Sequence, residues 1–124
     1  MEFRTEIPAP VSDFKIDYSS NGIAIGSCFT TYIGNFLQLS KFSIIVNPLG
    51  TLYNPVSIAN SLSLVLGQQK LQESDLYFDN GVWQSYKLHS SFSSVDKNEI
   101  INSFQEVSKT CMARKLDYVI VSLG

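Results

Sequence analysis

Apolar and polar positions along the chain switch between two periods. Ile23-Ala24-Ile25 is an apolar run with no polar interruption, stopped near Gly26, and it predicts a short buried strand over 23–27. Phe29, Ile33, Phe36 and Leu37 follow at helical spacing and predict a helix over 29–38. Phe42-Ser43-Ile44-Ile45-Val46 is β-branched and aromatic, hence a second strand, and Asn47-Pro48-Leu49-Gly50 breaks it. Asn54-Pro55 opens a helix with Ile58, Leu62, Val65 and Leu66 on its apolar face: asparagine caps free N–H groups, and proline is tolerated at the first helical position. Gly67 is its expected stop. Leu76-Tyr77-Phe78 and Val82–Tyr86 flank Asp79-Asn80-Gly81 and read as a hairpin. After a serine-rich stretch around His89, Asp96 and Glu99 form a capping pair for the longest helix, which places Ile100, Phe104, Val107 and Cys111 on one face. Tyr118–Val121 is a last apolar strand, ending at Ser122-Leu123-Gly124.

The order is β-α-β-α-hairpin-α-β. Short apolar strands alternating with amphipathic helices indicate an α/β domain with a parallel sheet. Residues 1–22, punctuated by Pro8, Pro10 and Asn21-Gly22, are expected to be irregular. Three parallel strands make a thin sheet, and no helix follows the last one. Residues 1–124 are therefore expected to be the N-terminal part of a single larger α/β domain, with a sheet incomplete on its C-terminal side.

Composition narrows the partners. Only 16% of residues are charged, the net charge is −2, and no Lys/Arg cluster occurs, so no nucleic-acid partner is expected. No apolar run approaches the roughly 18 residues that cross a membrane, and the first residues do not resemble a signal peptide, so the expected location is cytoplasmic. Two cysteines and one histidine, all far apart, give neither a disulfide framework nor a metal site. No glycine-rich nucleotide motif is present, and no cofactor is expected.

The chemistry concentrates at the exit of the first strand, in Ile25-Gly26-Ser27-Cys28-Phe29. Ligands of open parallel sheets bind beyond the carboxyl ends of the strands. Here the three main strands run into turns containing Gly26, Gly50 and Gly124, which converge if the first strand is central. Residue 28 would then begin a helix, where free N–H groups and the dipole favour negative charge and a thiolate. The same N–H groups can stabilise an oxyanion, and a nucleophile on a strand-to-helix corner serves acyl transfer. Small residues at strand ends are also common in inert positions.

"IGSCF", followed by "NPLGTLYNPVSIAN" and "HSSF", resembles the GSCFA domain from about Phe3 to Gly124, with Thr30 where the family motif has alanine. That family in turn resembles the SGNH (GDSL-like) hydrolases and acyltransferases. The resemblance implies a three-layer α/β/α fold with a flavodoxin-like sheet, with the hairpin as an insertion. It implies acyl-ester hydrolysis or acyl transfer on a small-molecule or carbohydrate-linked acyl substrate. Keeping the glycine of the Gly-Asp-Ser block in register puts the nucleophile on Cys28 and Ser27 at the aspartate position; a one-residue slip makes Ser27 the nucleophile. Gly50 is the implied oxyanion donor, and Gly124 matches the glycine of the Gly-x-Asn-Asp block. The block that supplies the Asp and His of the triad has no counterpart here, so little or no activity is expected of this chain alone.

His89, the only histidine, could serve as a base or could line a ligand site. Asn47 could donate to an oxyanion or form a turn, Tyr53 could line the pocket or pack under its loop, and Asn54 reads as a helix cap. Cys111 reads as a small core hydrophobe. The rival functions are a non-catalytic ligand-binding module on the same fold, and a marginally stable fragment whose exposed sheet edge promotes association.

Overall fold

The computed structural model describes residues 3–124. At its centre lies β1 (Asn21–Gly26), whose Ile23, Ala24 and Ile25 are fully buried. A strand that is apolar on both sides needs cover on both sides. β2 (Ser43–Val46) and β5 (Tyr118–Ser122) flank it in parallel, giving the order β2-β1-β5, with Ala24 opposite both Val46 and Ile120. The sequence pattern thus holds at the level of fold class: an open α/β sheet with helices on both faces, plus an antiparallel hairpin. Residues 3–20 contain no helix or strand, and the first two residues of the irregular segment lie outside the described ones. Asn21 and Gly22, expected to be irregular, instead begin β1, because pairing with Ser43 and Ile44 of β2 extends the strand beyond its apolar run.

The two faces are built differently. On one, Ile23 and Ile25 meet α2 (Pro55–Val65) through Ile58, Leu64 and Val65, and α3 (Lys97–Met112) through Ile100, Phe104 and Cys111. On the other, α1 (Cys28–Leu39) covers Ala24, Ile44 and Tyr118 with Leu37. The helical spacing of Phe29, Ile33, Phe36 and Leu37 does not coincide with the buried face of α1. Thr30 and Gly34 are its buried residues, while Phe29 and Phe36 are 60% and 61% exposed. The reason is close approach: a Cβ on Gly34 would sit 2.5 Å from a Val46 methyl, so only glycine lets the helix lie this near the sheet. The rotation that brings Gly34 down turns the two phenylalanines out.

Helix ends follow local chemistry. Asn54 accepts the Ser57 N–H at 2.8 Å, with Pro55 as the first residue of α2. At its far end the Gly67 N–H reaches Leu64 O and the Gln68 N–H reaches Ser63 O, a Schellman closure. Asp96 caps α3 by accepting the Asn98 N–H, but Glu99 does not complete the expected reciprocal pair. Its carboxylate accepts the Ser94 hydroxyl instead, and Ser94 Oγ accepts the Asp96 N–H. The hairpin β3 (Tyr77–Asp79) and β4 (Val82–Gln84) turns on Asn80 and Gly81, both at positive φ, as a tight hairpin turn demands.

Candidate functional site

Because all three central strands are parallel, their carboxyl ends share one edge, and the turns containing Gly26, Gly50 and Gly124 lie beyond it. Gly26 makes the corner. Its φ is +148°, and a Cβ there would fall 2.1 Å from the Ser122 carbonyl oxygen. Only glycine passes this close to β5 in this conformation. Its N–H donates to Asn47 Oδ1 at 2.8 Å, and its carbonyl accepts the Leu52 N–H at 2.9 Å. The corner is therefore pinned to the loop after β2 on both sides of the residue.

Asn47 is the pin. It sits at φ +40° and donates its own N–H to Ala24 O at 2.7 Å, while its Nδ2 donates to Thr31 Oγ1 at 2.7 Å. A backbone N–H can only donate, so the amide oxygen must face Gly26. Of the two roles open to Asn47, the turn is the one its contacts describe.

Ser27 occupies the N-cap of α1 but does not cap it: no side-chain bond reaches the first-turn N–H groups. Its buried hydroxyl lies 2.8 Å from Ser122 Oγ, which also accepts the Ser27 N–H at 3.2 Å and meets the Thr30 hydroxyl. Ser27, Thr30 and Ser122 thus form a small hydroxyl cluster under the corner. Cys28, the next residue, opens α1 and is exposed as a free thiol. The N–H groups of the first turn of α1 are left to solvent or ligand, because the serine that would ordinarily satisfy one is engaged with β5. The sequence shows a serine in cap position; nothing in it shows that the hydroxyl turns the other way.

Gly50 was expected to offer an open oxyanion donor, and its geometry differs. Its N–H donates to Asn47 O at 2.8 Å and closes the turn. A four-residue reversal after β2 satisfies its own backbone first. Gly124 is likewise engaged, donating to Tyr53 O at 3.2 Å, and the Tyr53 ring lies against its Cα. Tyr53 is more than half exposed, and Asn54 is the α2 cap described above.

His89 stands on the same loop cluster but is not joined to Cys28 by any hydrogen bond among the described residues. Its N–H donates to Leu49 O at 3.2 Å, and its Nδ1 accepts the Ser91 N–H at 3.1 Å. A Cβ on Gly50, which has φ +95°, would meet the His89 Cβ at 2.3 Å. The glycine of the first turn is thus needed for the histidine of the second to pack there. Among the described residues, no cluster of His, Cys, Asp and Glu could hold a metal ion, and no helix is long and apolar enough to cross a membrane.

No curated protein and no solved structure matches this chain. The corner at Gly26-Ser27-Cys28 and the loop that pins it both fall within residues 22–124, which match the model of the GSCFA family, and the chain belongs to that family.

Proposed function

We propose that this chain carries the nucleophile corner of an SGNH-like acyl-transfer enzyme, with Cys28 as the attacking group. The observation that carries the reading is the exposed thiol at the first position of α1, beside N–H groups that Ser27 leaves uncapped. In the proposed step the Cys28 sulfur attacks the carbonyl carbon of an ester and gives up its proton. The first-turn N–H groups receive the oxyanion, and its collapse expels an alcohol that takes up a proton. Water or a second hydroxyl then releases the acyl group from the thioester. Ser27 is the weaker candidate, because its hydroxyl is buried and bonded to Ser122 with no base beside it. A free exposed thiol also suits the cytoplasm as its compartment.

Treating the chain with p-nitrophenyl acetate tests this reading. One equivalent of nitrophenolate should appear quickly, with a single acetyl group found on Cys28 by peptide mass mapping and absent from Cys28→Ala. Iodoacetamide near neutral pH should label Cys28 well before Cys111. Slow labelling of both thiols, or acetylation elsewhere, would remove the reading in favour of a binding module. One observation favours that second reading for this chain: Nδ1 of its single histidine is bonded to Ser91 and does not meet the thiol.

A further inference from the structure

We infer that the cleft next to this corner binds a neutral polyhydroxyl ligand, and that His89 serves it as a fixed hydrogen-bond donor. The cleft has a volume of about 290 Å³ and lies between Leu52, the first turns of α2 at Ser57 and Asn60, and the segment from Tyr86 to Ser90. That volume is at the small end of ligand sites. Leu52 belongs to both features, since it lines the cleft and its N–H holds the Gly26 carbonyl.

The imidazole is clamped along two edges. Its Cβ–Cγ–Cδ2 edge rests on Gly50, where an added Cβ would come within 2.3 Å of His89 Cβ and 2.9 Å of Cδ2. On the other edge, Nδ1 accepts the Ser91 N–H. Ser91 Oγ also lies 3.1 Å from Nδ1, and a hydroxyl can donate or accept, whereas an amide N–H cannot accept. Both contacts are satisfied together when Nδ1 keeps its lone pair and the neutral ring carries its proton on Nε2. Among the described residues nothing meets Nε2. The ring is therefore held as a donor with a fixed direction, which is a poor arrangement for a base and a good one for recognising a ligand oxygen.

Charge and hydrogen-bonding capacity then select the ligand class. Lys87 is the cation lining the cleft, and its Nζ lies 2.7 Å from Asp75 Oδ1. The hydrogen bond from Lys87, with the Gln72 N–H beside it, holds the Asp75 carboxyl below the usual carboxylate range. The lysine is thus neutralised, and an anion would find no unbalanced positive charge. Ser57 Oγ already accepts Asn54 Nδ2 at 2.8 Å, so its hydroxyl proton is free to donate. Asn60 and Ser90 can each donate and accept. Uncharged groups of both kinds suit hydroxyls, which also do both. Tyr86, 89% exposed and stacked on Tyr77 at 4.4 Å, adds a flat apolar surface of the kind a sugar ring can lie against. Binding stands independently of the acyl-transfer reading; only the role of the ligand as hydroxyl acceptor of the acyl group rests on it.

The test uses the unmodified chain and methyl α-D-glucopyranoside, followed by NMR of the imidazole nitrogens and side-chain amides, with sodium acetate and inorganic phosphate as charged controls. Nδ1 should appear as the unprotonated nitrogen and Nε2 as the protonated one. The glucoside should shift the His89 ring and Asn60 amide signals saturably, and the two anions should not. Asn60→Ala, with the rest of its spectrum unchanged, should weaken the apparent Kd about fivefold, as expected for one lost hydrogen bond. A proton on Nδ1, no saturable response to the glucoside, or a response to acetate or phosphate instead would overturn the inference. Iodoacetamide labelling of the same sample keeps the two readings apart. An inert Cys28 with an intact glucoside response removes only the nucleophile, and a reactive Cys28 without that response removes only the ligand site.

Discussion

The two faces of the sheet solve the same covering problem with opposite materials. The α2/α3 face is a hydrocarbon core in which Ile23, Ile25, Leu64, Ile100 and Phe104 are at most 6% exposed. The α1 face is thin: a glycine lies on a valine, and the hydroxyls of Ser27, Thr30 and Ser122 meet where a larger core would put methyl groups. The contrast separates the face that carries the burial from the face that carries the proposed chemistry. Large apolar side chains give one face its burial energy. Small and polar ones give the other a short reach between β1, β5 and α1, which leaves the first turn of α1 open at the strand ends. The two thiols divide the same way, Cys111 inside the first face and Cys28 exposed at the end of the second.

The comparison can be broken most forcefully in the thick face. Phe104→Ala should cost about 3–5 kcal/mol, because it removes a buried ring and leaves a cavity. Denaturant unfolding measures it, and a cost below 1 kcal/mol would mean that α3 does not anchor the core. The thin face should fail by crowding instead. Gly34→Leu should cost about 1–3 kcal/mol through overpacking, and adding Val46→Ala should recover part of it, since Val46 is what the new side chain meets. Independent, additive costs would show that helix and strand are not in contact there.

A subtler change sharpens the link from the thin face to the site. Ser122→Ala removes one of the two acceptors of the Ser27 N–H, leaving the Ser122 carbonyl, together with the partner of two hydroxyls, at about 1–2 kcal/mol. Released from β5, Ser27 Oγ is free to cap α1 in the ordinary way, and alkylation of Cys28 should slow. An unchanged alkylation rate would separate the hydroxyl cluster from the thiol. The smallest effect is a pH dependence from the thick face. Burial pushes the Cys111 thiol above its ordinary value, so the folded state keeps a proton that the unfolded state gives up. That contribution is intact below the unfolded thiol's pKa and is lost as pH rises through the folded one. Stability should fall more steeply with rising alkaline pH in the natural chain than in Cys111→Ala, measured by thermal melting.

Much of this architecture was legible in residue patterns. The uninterrupted run Ile23-Ala24-Ile25 marks a strand buried on both sides, and such a strand has to be central. Asn54-Pro55 and Asn80-Gly81 write their cap and their turn directly, because those residues act on neighbouring backbone. The position of the corner at Gly26-Ser27-Cys28 could be read for a similar reason: a glycine followed by small polar residues ends one period and begins another. The apolar spacing of α1 misled, since it registers hydrophobicity and says nothing of how near a helix lies to its sheet.

The sequence by itself determined which segments are strands and helices and which residue types stand at the corner; these depend on contacts a few residues apart. The tertiary structure decided which way α1 is rolled, that Ser27 bonds to Ser122 across 95 positions and leaves its own helix uncapped, and that Gly50 and His89 fit against one another. Those outcomes depend on distances between segments remote in the chain, and a side chain with two possible partners takes the one that packing brings within reach.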